Sequence, residues 1–375
     1  MVSSKQSNEK ISALLAERIA AGDFPSAVYL VAERGRIQFA DALGQSTVEP
    51  EARPATLDTI YDLASLTKPL VTSLLSARHL ESNELALDAP VHHYLPEFDL
   101  DDKRQLTIRQ LLTHTSGLPA WRPLYITSGG ARERTLQAIA REPLEYAPGT
   151  RVLYSDLGFI TLGFLLERLS GASLADIARR EIFAPLKLKR TFFNPDAAMQ
   201  TEVAACEIGN TYERQMCLEM KLPEHSSWRE HLIWGEVHDG NAHFLGGAAG
   251  HAGLFSTAHE TLRLAEQFIA SRTLLLAPAT CALFRTNMTE GLEEARSTGW
   301  QLAATKDSTA GARLPPDSFG HLGFTGTSCW IDAAHERVFI LLTNRTHARA
   351  LPFVNINSVR RRFHTLAVEA LEAKG

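Results

Sequence analysis

The C-terminal stretch HLGFTGTSCWIDAAHERVFILLT, residues 321–343, decides the fold. It reads as three short strands, 321–325, 328–332 and 338–343, joined by tight turns. The other end of the chain carries a matching signal. Two β-rich runs, 27–32 and 36–40, flank the Glu33-Arg34-Gly35 turn as the arms of a hairpin do. Helical patterns bracket both ends. Ile11, Leu14, Leu15 and Ile19 repeat at helix spacing before Gly22, and residues 359–373 close the chain in the same way. Between them Leu70, Leu74, Leu75 and Leu80 keep a helical period, 106–112 reads alike, and 157–169 is strongly apolar up to Ser170-Gly171. Loops rich in Pro and Gly, at 115–122 and 147–150, separate these stretches. The simplest assembly is α+β. One antiparallel sheet is built from the N- and C-terminal segments and flanked by the terminal helices, with a mostly helical inserted lobe. The expected division is 1–64 with 295–375 in the sheet-bearing lobe and 65–294 in the helical one. A cleft between two such lobes is where a ligand would lie.

Composition narrows the function classes. With 375 residues, 45% hydrophobic and 22% charged, the chain can bury one large core or two ordinary ones. Its 38 Lys+Arg against 43 Asp+Glu give a formal net charge of -5, which offers no footprint for nucleic acid or an anionic membrane surface. The one basic cluster, Arg360 to Arg362, is expected to be a solvated face of the last helix. Cys206, Cys217, Cys281 and Cys329 are widely spaced, form no C-x-x-C pair and read as free thiols. The polar N-terminus has no continuous apolar core of a secretory signal, and no run approaches the ~20 apolar residues of a membrane span. If Met1 is the natural start, a cytoplasmic location is expected. The glycine-rich run at 246–253 lacks the Lys-Ser/Thr and the strand–helix setting of a phosphate cradle, so a tight buried loop is expected there. Residues 201–232 show no readable pattern.

Three stretches could carry chemistry. In Ser65-Leu66-Thr67-Lys68, residues three apart on a helix share a face, so hydroxyl and amine can meet. A serine hydroxyl is a weak nucleophile until a base takes its proton, and a lysine serves only if its pKa is drawn toward neutrality. Pro69 suits the first turn of a helix but biases Lys68 away from ideal α geometry. In Tyr154-Ser155-Asp156, a tyrosine between a turn and a helix can lean into a cleft, and a nearby ammonium would favour its phenolate. In His321-Leu322-Gly323-Phe324, a strand along a cleft wall presents a cation and then a backbone N–H, with Gly323 admitting close approach of a substrate.

Together and in this order, the three resemble the Ser-x-x-Lys, Tyr-x-Asn and Lys-Thr-Gly signature of class C β-lactamases and the related penicillin-binding proteins and esterases. The resemblance extends to Leu87-Asp88-Ala89-Pro90-Val91, Tyr94-Leu95-Pro96, the LLTHTSGL run at 111–118, and 326–330. It implies a serine hydrolase of the β-lactamase and penicillin-binding-protein superfamily, acting on a small ester, amide or peptide. Ser65 would be acylated and then freed by water, with Lys68 and Tyr154 sharing the acid–base work. The backbone N–H groups of Ser65 and Phe324 would form the oxyanion hole, each such donor being worth ~3 kcal/mol of transition-state stabilisation. No cofactor is implied.

Two departures stand out. Asp156 occupies the usual amide position, where a carboxylate can pair with Lys68. His321 replaces the usual lysine; a histidine is often uncharged at neutral pH and anchors a substrate carboxylate less well. That points away from β-lactam hydrolysis and toward the esterase- and peptidase-like branches. Alternatives are a penicillin-binding sensor acylated once, a true class C-type β-lactamase, or a muropeptide amidase. His238, Asp239, His243 and His251 invite a metal reading, but their spacing matches no helical His pair; His238, Asp239 and His251 are expected to shape a cleft wall, with no metal.

Overall fold

The computed structural model describes residues 7–374. Among the described residues there are ten strands: β1 Ser26–Glu33, β2 Arg36–Thr47, β3 Arg53–Pro54, β4 Tyr61–Asp62, β5 Phe192–Phe193, β6 Leu254–Ser256, β7 Gln301–Leu302, β8 Phe319–Leu322, β9 Ser328–Asp332 and β10 Arg337–Thr343. Seven of them form one sheet in the order β3-β2-β1-β10-β9-β8-β7. The two ends of the chain meet at its centre, where β1 pairs antiparallel with β10 and Tyr29 faces Leu341. This is the α+β architecture expected from the terminal signals.

The run Ala27 to Ala32 has no polar residue to turn toward water, and both faces of β1 are buried. Tyr29 and Val31 pack with Trp330, Phe339 and the helices Glu9–Ala20 and Asn357–Glu372. Val28 and Leu30, pointing the opposite way, pack with Leu66, Leu70, Leu74 and Phe268 from the middle of the chain. A sheet covered on both sides needs apolar residues at successive positions, which is why β1 reads as a continuous run. A separate cluster centred on Leu111, Leu157, Ile160 and Phe255 fills the helical part.

The helix Asp156–Ser170 starts on a Ser155 cap and stops on Gly171 in the left-handed region, the stop being the one its sequence indicated. A small second sheet, β4-β6-β5, was not foreseen. Its strands are two or three residues long, too short to show alternation. The four cysteines are free and buried. Among the described residues no single helix is long and apolar enough to cross a membrane.

The C-terminal basic cluster departs from expectation. Arg360 is buried, and only Arg361 and Arg362 keep contact with solvent. Arg360 lies on the inward face of its helix, where its Nη2 donates to two carbonyls of the β8–β9 turn, those of Gly323 and Thr327.

Candidate active site

The short strand β4 delivers Ser65. Leu63 N–H donates to Leu254 O at 2.8 Å, and Ala64 N–H donates to the Asp62 carboxylate at 2.8 Å. Ala64 takes a left-handed φ of 48°, a strained conformation for a residue with a Cβ. The backbone then makes a 3-10 turn over Ala64–Leu66 and a π-helical segment over Lys68–Ser73. Pro69 lacks the N–H that would bond the Ser65 carbonyl four residues back, so the chain cannot enter as an ordinary α-helix. The three-residue spacing still works: Lys68 Nζ lies 3.0 Å from Ser65 Oγ.

Lys68 is fully buried and well partnered. Besides Ser65 it donates to the His251 carbonyl at 3.1 Å and pairs with Asp156 Oδ1 at 2.7 Å. Its ammonium lies 4.8 Å from the centre of the Tyr154 ring. Burial alone would push the amine down, but Asp156 and Tyr154 outweigh it and hold Lys68 above the ordinary lysine range. The direction is opposite to the neutral amine that a free lysine base requires. Tyr154 departs from expectation too. Burial raises its phenol, and Lys68 recovers only part of that shift.

The turn that carries Tyr154 is held by His114, which the sequence did not single out. Ser155 N–H donates to His114 Nδ1 at 3.0 Å, and Leu153 N–H donates to the His114 carbonyl at 2.9 Å. The two rings lie 4.5 Å apart. His114 comes from the LLTHTSGL run and is 1% exposed. Burial and the charges of Arg296 and Lys68 keep it neutral, as an Nδ1 acceptor must be.

Opposite Ser65, the β8–β9 turn is tied to the nucleophile segment. Thr325 Oγ1 donates to Asp62 O at 2.8 Å and Thr327 Oγ1 to Leu63 O at 3.0 Å. Arg360 Nη2 donates to the carbonyl of Gly323 at 2.8 Å. In a trans peptide the N–H points away from the C=O, so this bond turns the Phe324 N–H to the other side of the Gly323–Phe324 peptide. Among the described residues neither the Ser65 nor the Phe324 N–H meets a backbone or side-chain acceptor. A Cβ on Gly323 would sit 2.5 Å from Leu63 O, so only glycine lets the two walls approach this closely.

These groups open into a cleft of about 740 Å³ lined by Ser65, Tyr154, Asp156, His321, Gly323 and Phe324. Two arginines missed in the sequence, Arg296 and Arg345, line it with Arg360. Arg296 is paired with Glu294 at 2.6 Å, whereas Arg345 stacks on Phe324 and donates to its carbonyl at 2.7 Å. Part of the cleft wall is acidic, with Glu213 and Asp239. Glu213, from the helix Thr211–Glu219 in the stretch that gave no pattern, accepts from Tyr125 and from Gly240 N–H. Burial and the neighbouring Asp239 push it up to about 7.

His238 and Asp239 do line the cleft, while His251 lies beneath it, 1% exposed. His238 is bonded to Glu207 and His251 to Asp239, each at 2.8 Å. His243 is half-exposed and stands beside Glu236 instead. Asp156, Asp239 and His251 bring ligand-type atoms within 4.8 Å of one another. The cation they surround is the Lys68 ammonium, which already touches Asp156 and the His251 carbonyl.

The chain as a whole is similar to known proteins. A protein of Escherichia coli (strain K12), provisionally named a D-alanyl-D-alanine carboxypeptidase, is 30% identical over 354 residues, covering 87% of this chain and 79% of its own. The solved structure of EstCE1, titled a hydrolase with promiscuous acyltransferase activity, superposes with a TM-score of 0.72 at 24% identity, over 95% of this chain and 97% of that one. A class C β-lactamase from Rhodobacter sphaeroides gives 0.71 at 20% identity, over 97% and 100%. Residues 11–357 match the family described as Beta-lactamase, and the chain belongs to that family, within the serine β-lactamase and penicillin-binding-protein superfamily.

Proposed function

We propose that this protein is a serine hydrolase that cleaves a small ester or amide through an acyl-enzyme on Ser65. The observation that carries the reading is the 3.0 Å contact between Lys68 Nζ and Ser65 Oγ on the floor of the cleft. Because Lys68 is held protonated by Asp156, we read the base as the phenolate form of Tyr154, the minor species that the Lys68 ammonium favours against burial; it takes the Ser65 proton while Lys68 keeps its own. The serine oxygen attacks the acyl carbon and the carbonyl oxygen takes the negative charge facing the Ser65 and Phe324 N–H groups; the C=O bond then re-forms, the bond from the acyl carbon to the leaving group breaks, and Tyr154 gives the leaving group the proton taken from Ser65. Water then releases the acyl group by the reverse proton path. The carboxypeptidase name of the Escherichia coli relative and the acyltransferase title of EstCE1 support short acyl compounds, peptide-like or ester, as the substrate class.

The test is Ser65→Ala. The parent should take up one fluorophosphonate adduct by intact mass and hydrolyse p-nitrophenyl esters, while the variant takes up none and loses turnover about a thousandfold or more. Undiminished labelling or turnover in Ser65→Ala defeats the proposal. With a penicillin probe, an adduct that forms and decays marks an enzyme; one that persists marks a sensor.

A further inference from the structure

His321 is 5% exposed, yet it lines the cleft beside the acyl-forming residues. Its Nδ1 lies 2.9 Å from the Leu322 carbonyl. A carbonyl only accepts, so the ring proton resides on Nδ1 and the neutral ring presents a lone pair at Nε2. That nitrogen is buried and has no hydrogen-bond partner among the described residues. A buried acceptor left unpaired is costly and asks for a donor from whatever fills the cleft.

The surroundings keep the ring in this form. The charged groups acting on it are Lys68, Arg296 and Arg360, from three different segments, with the neutral His114 imidazole also within reach and the Tyr154 ring 5.7 Å away. All three charges are positive. Adding a fourth by protonating Nε2 is disfavoured by burial first and by these cations second. The position that offers an ammonium in the related lactamase signature therefore offers a hydrogen-bond acceptor here.

We propose that His321 is a specificity-determining residue whose Nε2 accepts a hydrogen bond from an N–H or O–H on the leaving-group side of the substrate. The cleft then prefers acyl compounds that carry an amide or hydroxyl there over those that carry a carboxylate. The leaving-group side follows from Tyr154, the proposed proton donor to that group, whose ring faces His321. The inference rests on the acyl-enzyme reading above.

A matched pair of thioesters tests it: hippuryl thioglycolamide, with an amide N–H in the leaving group, and hippuryl thioglycolate, with a carboxylate at the same place. The wild-type protein should favour the amide in kcat/KM by about tenfold or more. His321→Lys should reverse the preference, and His321→Gln, which keeps an acceptor oxygen, should retain its direction. A merely structural role would lower both rates and leave their ratio unmoved. A wild-type preference for the carboxylate, or an unchanged ratio in His321→Lys, overturns the proposal. In protein labelled with ¹⁵N-histidine, the signal lost in His321→Gln should show the neutral Nδ1–H tautomer at pH 7; an imidazolium there overturns it as well. Failure of the acyl-enzyme reading is distinguishable, since neither thioester would be cleaved through Ser65.

Discussion

Replacing Asp156 by Asn should move the pH profile of the reaction to lower pH. Asp156 Oδ1 lies 2.7 Å from Lys68 Nζ, and an effective dielectric of 20 makes that attraction about 6 kcal/mol before any compensation. Removing it leaves a fully buried ammonium without its contacting counter-charge, with only Asp239, already bonded to His251, as a nearby carboxylate; a broken buried pair costs about 3–5 kcal/mol, relieved by losing the proton. The full Coulomb figure overstates the change. Asp156 keeps 17% exposure of its side chain, and the dipole of an Asn oxygen would replace part of the lost attraction, so a shift of about 1–3 pH units is the expected scale. The sign does not depend on which group is the base. Asp156 raises Lys68 by attracting its ammonium and raises Tyr154 by repelling its phenolate, so its loss lowers both. The acidic limb of kcat/KM for p-nitrophenyl butyrate, measured from pH 5 to 10 with spontaneous hydrolysis subtracted, should therefore fall by at least about one unit. A limb that stays in place or rises would show that this ion pair does not set the protonation of the base.

Two further perturbations probe the cleft walls. Glu213 is raised from 4.5 to about 7 by burial and Asp239, so the folded state holds a proton there that the unfolded chain has already lost. Stability tied to that proton is complete below pH 4.5 and is lost as pH rises through 7, which over this interval amounts to about 3 kcal/mol. Glu213→Gln should gain stability over the parent by about that amount between pH 4.5 and 7.5 in urea unfolding, and a pH-independent difference would contradict the assignment. Gly323→Ala forces a methyl to 2.5 Å from Leu63 O, so it should lower unfolding free energy by about 1–3 kcal/mol and depress kcat; unchanged values in both would mean that the β8–β9 turn yields freely.

The parts of this site that were legible share one property: their signal is local. Ser65 and Lys68 sit three residues apart on one turn, Tyr154 precedes an apolar helix whose end is marked by Gly171, and β1 and β10 are buried runs long enough to show their character. Protonation was not legible. Whether Lys68 is lowered or raised is decided by Asp156, which is 88 positions away in sequence and 2.7 Å away in space. Arg360 reads as solvated because Arg361 and Arg362 follow it, and only the helix register turns it inward onto Gly323.

The acidic wall was hidden for a different reason. In and around the helix Thr211–Glu219 the usual burial pattern is inverted: Leu218 is 71% exposed and Ile208 58%, while Glu213 is 5% exposed. An amphipathic reading would turn that helix around. Burying a carboxylate while leaving leucine in water costs stability, and packing alone gives no return for it. Part of the return is local, since Tyr125 and the Gly240 N–H bond the carboxylate, and the rest has to come from the cleft that Glu213 lines together with Arg345 and Arg360. A segment that violates hydrophobic order at the rim of a pocket is accordingly where substrate selectivity should be sought. The same logic singles out His321, whose buried nitrogen has no bond to give up when a substrate arrives.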